Sequence, residues 1–174
     1  MAQLFTGSAR EMITPPVGSP LGGNARSSNY STHVLHELYC RAFYAEQQDS
    51  AVCIVSLDLL GLHEQDARAL REAIAMAISI PADHVMIACT HTHSGPDTIR
   101  ILAPTDARAA QDREQLSLWM DLLFERAISA AKRAKTTAVP SRMSLQKVDN
   151  VSLPNNRRLR LHNGETVMNW TLPE

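Results

Sequence analysis

Val85-Met86-Ile87-Ala88-Cys89-Thr90-His91-Thr92-His93-Ser94-Gly95-Pro96 is the stretch on which the fold turns. Its apolar opening, Val85 to Cys89, reads as a buried strand, and Gly95-Pro96 stops it. In extended backbone, side chains repeat every two residues, so His91 and His93 are expected on one side of the strand's exit. Two imidazoles delivered to one edge are poor core material and good site material. Neutral imidazole is also the commonest metal ligand. The same pair could instead be a hydrogen-bonded structural pair or simply solvated.

Working outward, Glu64 to Ser79 places Ala67, Leu70, Ile74, Ala77 and Ile78 at helical spacing, and Pro81 punctuates its end. Before it, Ala51 to Leu57 is a continuous apolar run of the kind a central strand shows, with Asp58 at its end. Strand, helix, strand in that order predicts a parallel crossover. His36 to Tyr44 alternates, with Leu38, Cys40, Ala42 and Tyr44 on one side and Tyr39, Arg41 and Phe43 on the other; both faces read as largely buried. Residues 3–14 make a first strand. Residues 17–32, rich in Gly, Ser, Pro and Asn, make a long loop. The longest helix is expected over 105–135, with Leu116, Trp119, Leu123, Ala127, Ala130 and Ala134 on one stripe. Lys132, Arg133 and Lys135 lie near its C-terminus, where cations complement the helix dipole. Arg142 to Val148 alternates weakly as another strand. Leu159–Leu161 and Thr166–Trp170 flank Asn163-Gly164, a strong hairpin signal. The reading is a single α/β domain over residues 1–174, with a mixed sheet and helices packed against it.

At 174 residues the chain is long enough to bury a sizeable core. Its 17 basic and 18 acidic residues nearly cancel, which gives no electrostatic case for nucleic acid or an anionic membrane surface. No apolar run approaches the roughly 20 residues of a membrane span. The N-terminus shows no basic-plus-apolar leader, so a cytoplasmic location is expected. Cys40, Cys53 and Cys89 fall in predicted strands without Cys-x-x-Cys spacing. They read as buried free thiols in a reducing compartment rather than a zinc–thiolate site.

The stretch Cys89-Thr90-His91-Thr92-His93-Ser94-Gly95-Pro96 resembles the G-T-H-T-H-S-G-P motif of the neutral/alkaline (non-lysosomal) ceramidases, zinc-dependent amide hydrolases, with Cys89 in place of glycine. Other landmarks follow in family order. Phe5 to Gly18 (FTGSAREMITPPVG) is similar to A-G-x-x-x-x-D-I-T-P-P-x-G, and Leu38 to Phe43 (LYCRAF) to L-Y-A-R-A-F. Val55 to Leu62 (VSLDLLGL) is similar to the V-S-x-D segment, and Asn156-Arg157 to a later N-R motif. The string around the histidines is specific; the rest persuade only in their order.

The resemblance implies an N-terminal portion of the ceramidase catalytic domain. It makes His91 a zinc ligand, His93 a second active-site histidine that hydrogen-bonds or moves a proton, and Arg157 a substrate-orienting guanidinium. The implied substrate is a small N-acyl, ceramide-like compound. Taken without the resemblance, Arg157 and Arg158 are exposed charges at a strand's entry. Asp58 could orient a histidine, or cap a helix N-terminus or a loop, and Ser94 reads as a turn residue, since Gly95-Pro96 makes no nucleophile elbow. His33, His36, His63, His84 and His162 read as surface or capping residues. The family takes its further zinc ligands, a histidine, a glutamate and a tyrosine, from far downstream, so the chain reads as truncated at its C-terminus and holds part of a metal site. Three readings stay open. The chain is a catalytically inactive fragment, or an enzyme that completes its site with His36, His63, Asp58 or a second copy, or a binding module on half of an ancestral domain. A homo-oligomer is expected, because a sheet cut mid-domain leaves an edge and apolar surface to cover.

Overall fold

The structure, a computed structural model, describes residues 2–23, 30–99, 109–149 and 158–168. The chain divides into two compact units, Met1–Arg142 and Met143–Glu174. The first carries a five-stranded mixed sheet in the order β4-β3-β2-β1-β5. Its strands are β1 (Leu4–Met12), β2 (Tyr39–Gln47), β3 (Ser50–Leu57), β4 (Val85–Cys89) and β5 (Val139–Ser141), and its helices are α1 (Glu64–Ile78) and α2 (Ala109–Thr136). All neighbours pair antiparallel except β3 and β4, which are parallel across the α1 crossover. The predicted strand–helix–strand unit is therefore present, with strand β4 at its expected bounds. Residues 105–108, the start of the long helix read from the sequence, lie outside the described residues.

Two-residue alternation decides which face of the sheet is covered. Cys40, Ala42 and Tyr44 of β2 are buried, as are Cys53, Val55 and Leu57 of β3 and Val85 of β4. They pack with Leu70, Ile74 and Ile78 of α1 and with Trp119, Leu123, Ala127, Ala130, Ala131 and Ala134 of α2. The alanine stripe lets α2 lie close to β1. A Cβ on Gly7 would fall 2.0 Å from the Ala134 carbonyl oxygen, so only glycine fits there. Trp119 Nε1 donates to the Ile13 carbonyl at 2.9 Å, satisfying the one polar atom of a buried ring. Lys135 Nζ donates to the Ile78 carbonyl at 2.6 Å, so a cation from the end of α2 serves a C-terminal carbonyl of α1.

Two expectations are corrected. The Arg41 and Phe43 side of β2 is exposed, because the helices cover the other face only. Apolar content along a strand does not say whether a second layer exists. Residues 142–149 form no strand, and Met143 and Leu145 are 86% and 99% exposed. The strand that pairs with β1 on the side away from β2 is Val139–Ser141 instead, with Pro140 tolerated because β5 is an edge. Described by itself, the second unit holds a hairpin, β6 (Arg158–Arg160) and β7 (Thr166–Met168), turned at Asn163-Gly164 with Gly164 at φ +88°. The predicted hairpin is thus present; Trp170, at its expected end, lies outside the described residues.

Candidate functional site

The parallel pair β3–β4 runs out at Leu57 and Cys89, and both predicted histidines sit just beyond. The Thr90 N–H donates to the Leu57 carbonyl at 2.9 Å, and the His91 N–H to the Leu59 carbonyl at 2.9 Å. The ladder thus continues past the strand ends, and the chain then turns sharply. His91 lies at φ +62°, in the left-handed region that a residue bearing a Cβ enters at a cost. Extended alternation does not bring the two imidazoles together. The turn at His91 does, leaving the rings edge to face with centroids 5.0 Å apart.

Each ring is held at the same atom. His91 Nδ1 lies 2.8 Å from the Leu60 carbonyl oxygen, and His93 Nδ1 lies 3.0 Å from the Gly23 carbonyl oxygen. A carbonyl only accepts, so the proton in both contacts resides on Nδ1. In the neutral ring the lone pair is then on Nε2, the arrangement used by metal-ligating and proton-accepting histidines. Both histidines are exposed.

The loop that seats His93 comes from far away in sequence. The Gly22 N–H donates to the Gly95 carbonyl at 2.9 Å, and the Asp97 N–H donates to the Pro20 carbonyl at 3.1 Å. Gly23 has φ +92°, and a Cβ there would lie 2.9 Å from the His93 ring. Glycine is therefore required on both counts. The Gly22-Gly23 pair within the Gly-rich loop was the available sequence signal for this contact; the Leu60 carbonyl left none.

Asp58 neither orients a histidine nor caps a helix. Its carboxylate accepts from the Tyr39 N–H at 2.9 Å and from Arg41 Nη1 at 2.8 and 2.9 Å, tying β2 to the end of β3. Ser94 takes the turn role, its N–H donating to Thr92 Oγ1 at 3.3 Å. His63 precedes α1 without a side-chain cap bond, and His84 Nδ1 donates to the Ala51 carbonyl at 2.8 Å. Burial pushes the Cys89 thiol up, so it is no ready thiolate for metal or nucleophilic chemistry. Asn156 and Arg157 lie outside the described residues.

A catalytic zinc needs three protein donors and an open position. Among the described residues no group of three His, Cys, Asp or Glu side chains could hold a metal ion. The imidazole pair fits part of a zinc site by its donor chemistry, and the described residues do not complete one.

No family model and no curated protein sequence matches the chain. Solved structures do. The chain is similar to the neutral ceramidase from Pseudomonas aeruginosa with a TM-score of 0.60 and 18% identity, over 80% of this chain and 22% of that one. A ceramidase complexed with C2 matches with a TM-score of 0.59, the same identity and the same coverage. The chain therefore spans about a fifth of the length of these proteins. At this identity the likeness is one of fold: a mixed α/β architecture like a portion of a ceramidase.

Proposed function

We propose that this chain supplies one wall of a ceramidase-like amide-hydrolase site acting on N-acyl substrates. The observation that carries the reading is the His91/His93 pair, placed beyond the parallel strands with each Nδ1–H bound to a backbone carbonyl. In this reading His91 is a zinc ligand through Nε2. His93 hydrogen-bonds the reacting oxygen or moves a proton, and Arg157 orients the substrate amide. Zinc, when bound, would supply a water acidified toward pKa ~7 and a polarised carbonyl. The remaining donors come from outside the described residues, and a second copy of this chain in a homo-oligomer is one source. A reducing, cytoplasmic setting belongs to the same proposal and accords with the free thiols of Cys40, Cys53 and Cys89. Of the described helices, none is long and apolar enough to cross a membrane.

Elemental analysis of the purified chain beside His91→Ala tests the reading, with sedimentation at and without added zinc. Bound zinc that is lost in His91→Ala is the expected result, and zinc-dependent association would assign the missing donors to a second copy. Unchanged zinc in His91→Ala would remove the metal role from His91. Absence of both zinc and amide hydrolysis in the wild-type chain would favour a binding module on the same fold.

A further inference from the structure

The face of the sheet opposite the two helices forms an open groove of about 550 Å³, within the range of small-ligand sites. Strand register sets two rows across this face, and the groove takes in every residue of both except Met86, which lies beside Ile54. Ser8, Phe43, Ile54 and Met86 lie side by side across β1 to β4, and Arg10, Arg41 and Ser56 form the next row. Phe43, Ile54 and Met86 are 41%, 40% and 57% exposed, a continuous apolar strip rather than scattered residues. The second row, with Arg133 at the rim, brings guanidinium groups to the same groove.

Charge accounting decides what the groove lacks. Arg41 is paired with Asp58, and Arg133 with Glu11 at 2.7 Å. Arg10 has no carboxylate partner among the described residues; its guanidinium lies over the Tyr39 ring, 4.9 Å from the centroid, beside that of Arg41 at 5.2 Å. Three guanidiniums against two carboxylates leave one positive charge uncompensated. The aromatic ring holds the Arg10 side chain in place while leaving its donors available. A second copy is a poor occupant. The rows facing outward hold no carboxylate of their own, so two copies packed face to face would oppose cation to cation.

We propose that this groove binds an alkyl carboxylate: Arg10 takes the carboxylate, Ser8 and Ser56 lie within the polar end, and the chain lies along Phe43, Ile54 and Met86. The inference does not rest on the hydrolase reading, since none of these residues belongs to the histidine loop.

Titration of the purified chain with decanoate, acetate and decanol, followed by calorimetry and amide chemical shifts, tests it. Saturable decanoate binding is expected, with shifts confined to β1–β4, and with acetate and decanol weaker by about tenfold or more each. Arg10→Gln should weaken decanoate by about tenfold, as loss of a charge-assisted bond does, and leave decanol unchanged. Arg10 is an exposed sheet residue, so this variant is expected to fold, and its circular dichroism checks that. His91→Ala should leave decanoate binding unchanged, which keeps this result separate from any failure of the zinc reading. Decanoate binding no tighter than decanol, or unaffected by Arg10→Gln, overturns the proposal. So does the absence of binding together with self-association that Arg10→Gln abolishes, which would assign the face to a polypeptide.

Discussion

His91 combines two opposed terms at one residue. Its left-handed backbone costs roughly 1 kcal/mol relative to glycine, and its Nδ1–H bond to the Leu60 carbonyl offsets part of that. The two can be separated. His91→Ala and His91→Gly both lose the side-chain bond, but only glycine relieves the backbone. Urea denaturation should therefore find His91→Gly more stable than His91→Ala by about 1 kcal/mol. Equal stabilities would mean that the turn relaxes in both and that its left-handed form is not imposed by the loop. The pair itself was legible in the sequence, because two histidines spaced by one residue after an apolar run are conspicuous. What holds them was not. Both acceptors are backbone carbonyls, which every residue carries, and the His93 seat arrives from a loop seventy positions away in sequence.

At the scale of elements, Glu11 ties β1 to α2. Its carboxylate is only 14% exposed and accepts from Arg133 Nη1 at 2.7 Å and Ser129 Oγ at 3.1 Å, with Arg126 3.7 Å away. The hydrogen bond from Arg133 holds the carboxyl below its ordinary 4.5; burial pulls the other way, and Ser129 and the guanidinium charges add to the lowering. The folded state thus binds this proton less readily than the unfolded chain. The stabilisation is complete above pH 4.5 and is lost as pH falls through the depressed folded value. Glu11→Gln should cost about 1 kcal/mol at neutral pH, since Arg133 is half-exposed, and the difference from wild type should close in acid. Urea midpoints measured across that range decide it. A difference independent of pH would make the residue's role one of packing. Periodicity revealed the helix that this pair reaches, because Leu116, Trp119, Leu123, Ala127, Ala130 and Ala134 form one apolar stripe along α2. It failed at Arg142 to Val148, where alternation exists without a neighbouring strand to pair with. It also failed at Arg41 and Phe43, where apolar and charged residues share a face that no helix covers.

For the molecule as a whole, the two units differ in what holds them. The first encloses Cys40 and Cys53 among the side chains of β2, β3 and both helices. Burial pushes the Cys53 thiol up to about 11 and, with the nearby Cys53 and Glu11 adding to it, the Cys40 thiol to about 12. At pH 8 only about one Cys53 in a thousand and one Cys40 in ten thousand would then be ionised, and neither is accessible. Cys89, half-buried at the end of β4, is the first expected to react with an alkylating reagent. The described part of the second unit has the opposite character. Its hairpin buries none of Leu159, Leu161, Val167 and Met168, each about two-fifths exposed, and a two-stranded ribbon is marginal by itself. Local opening there should not require opening of the sheet. Amide exchange at Arg158–Arg160 and Thr166–Met168 is therefore expected to be fast in native buffer. Alkylation of Cys40 and Cys53 should follow the urea transition of the sheet. Labelling of both thiols in native buffer, ahead of that transition, would instead mean that the core of the sheet opens locally.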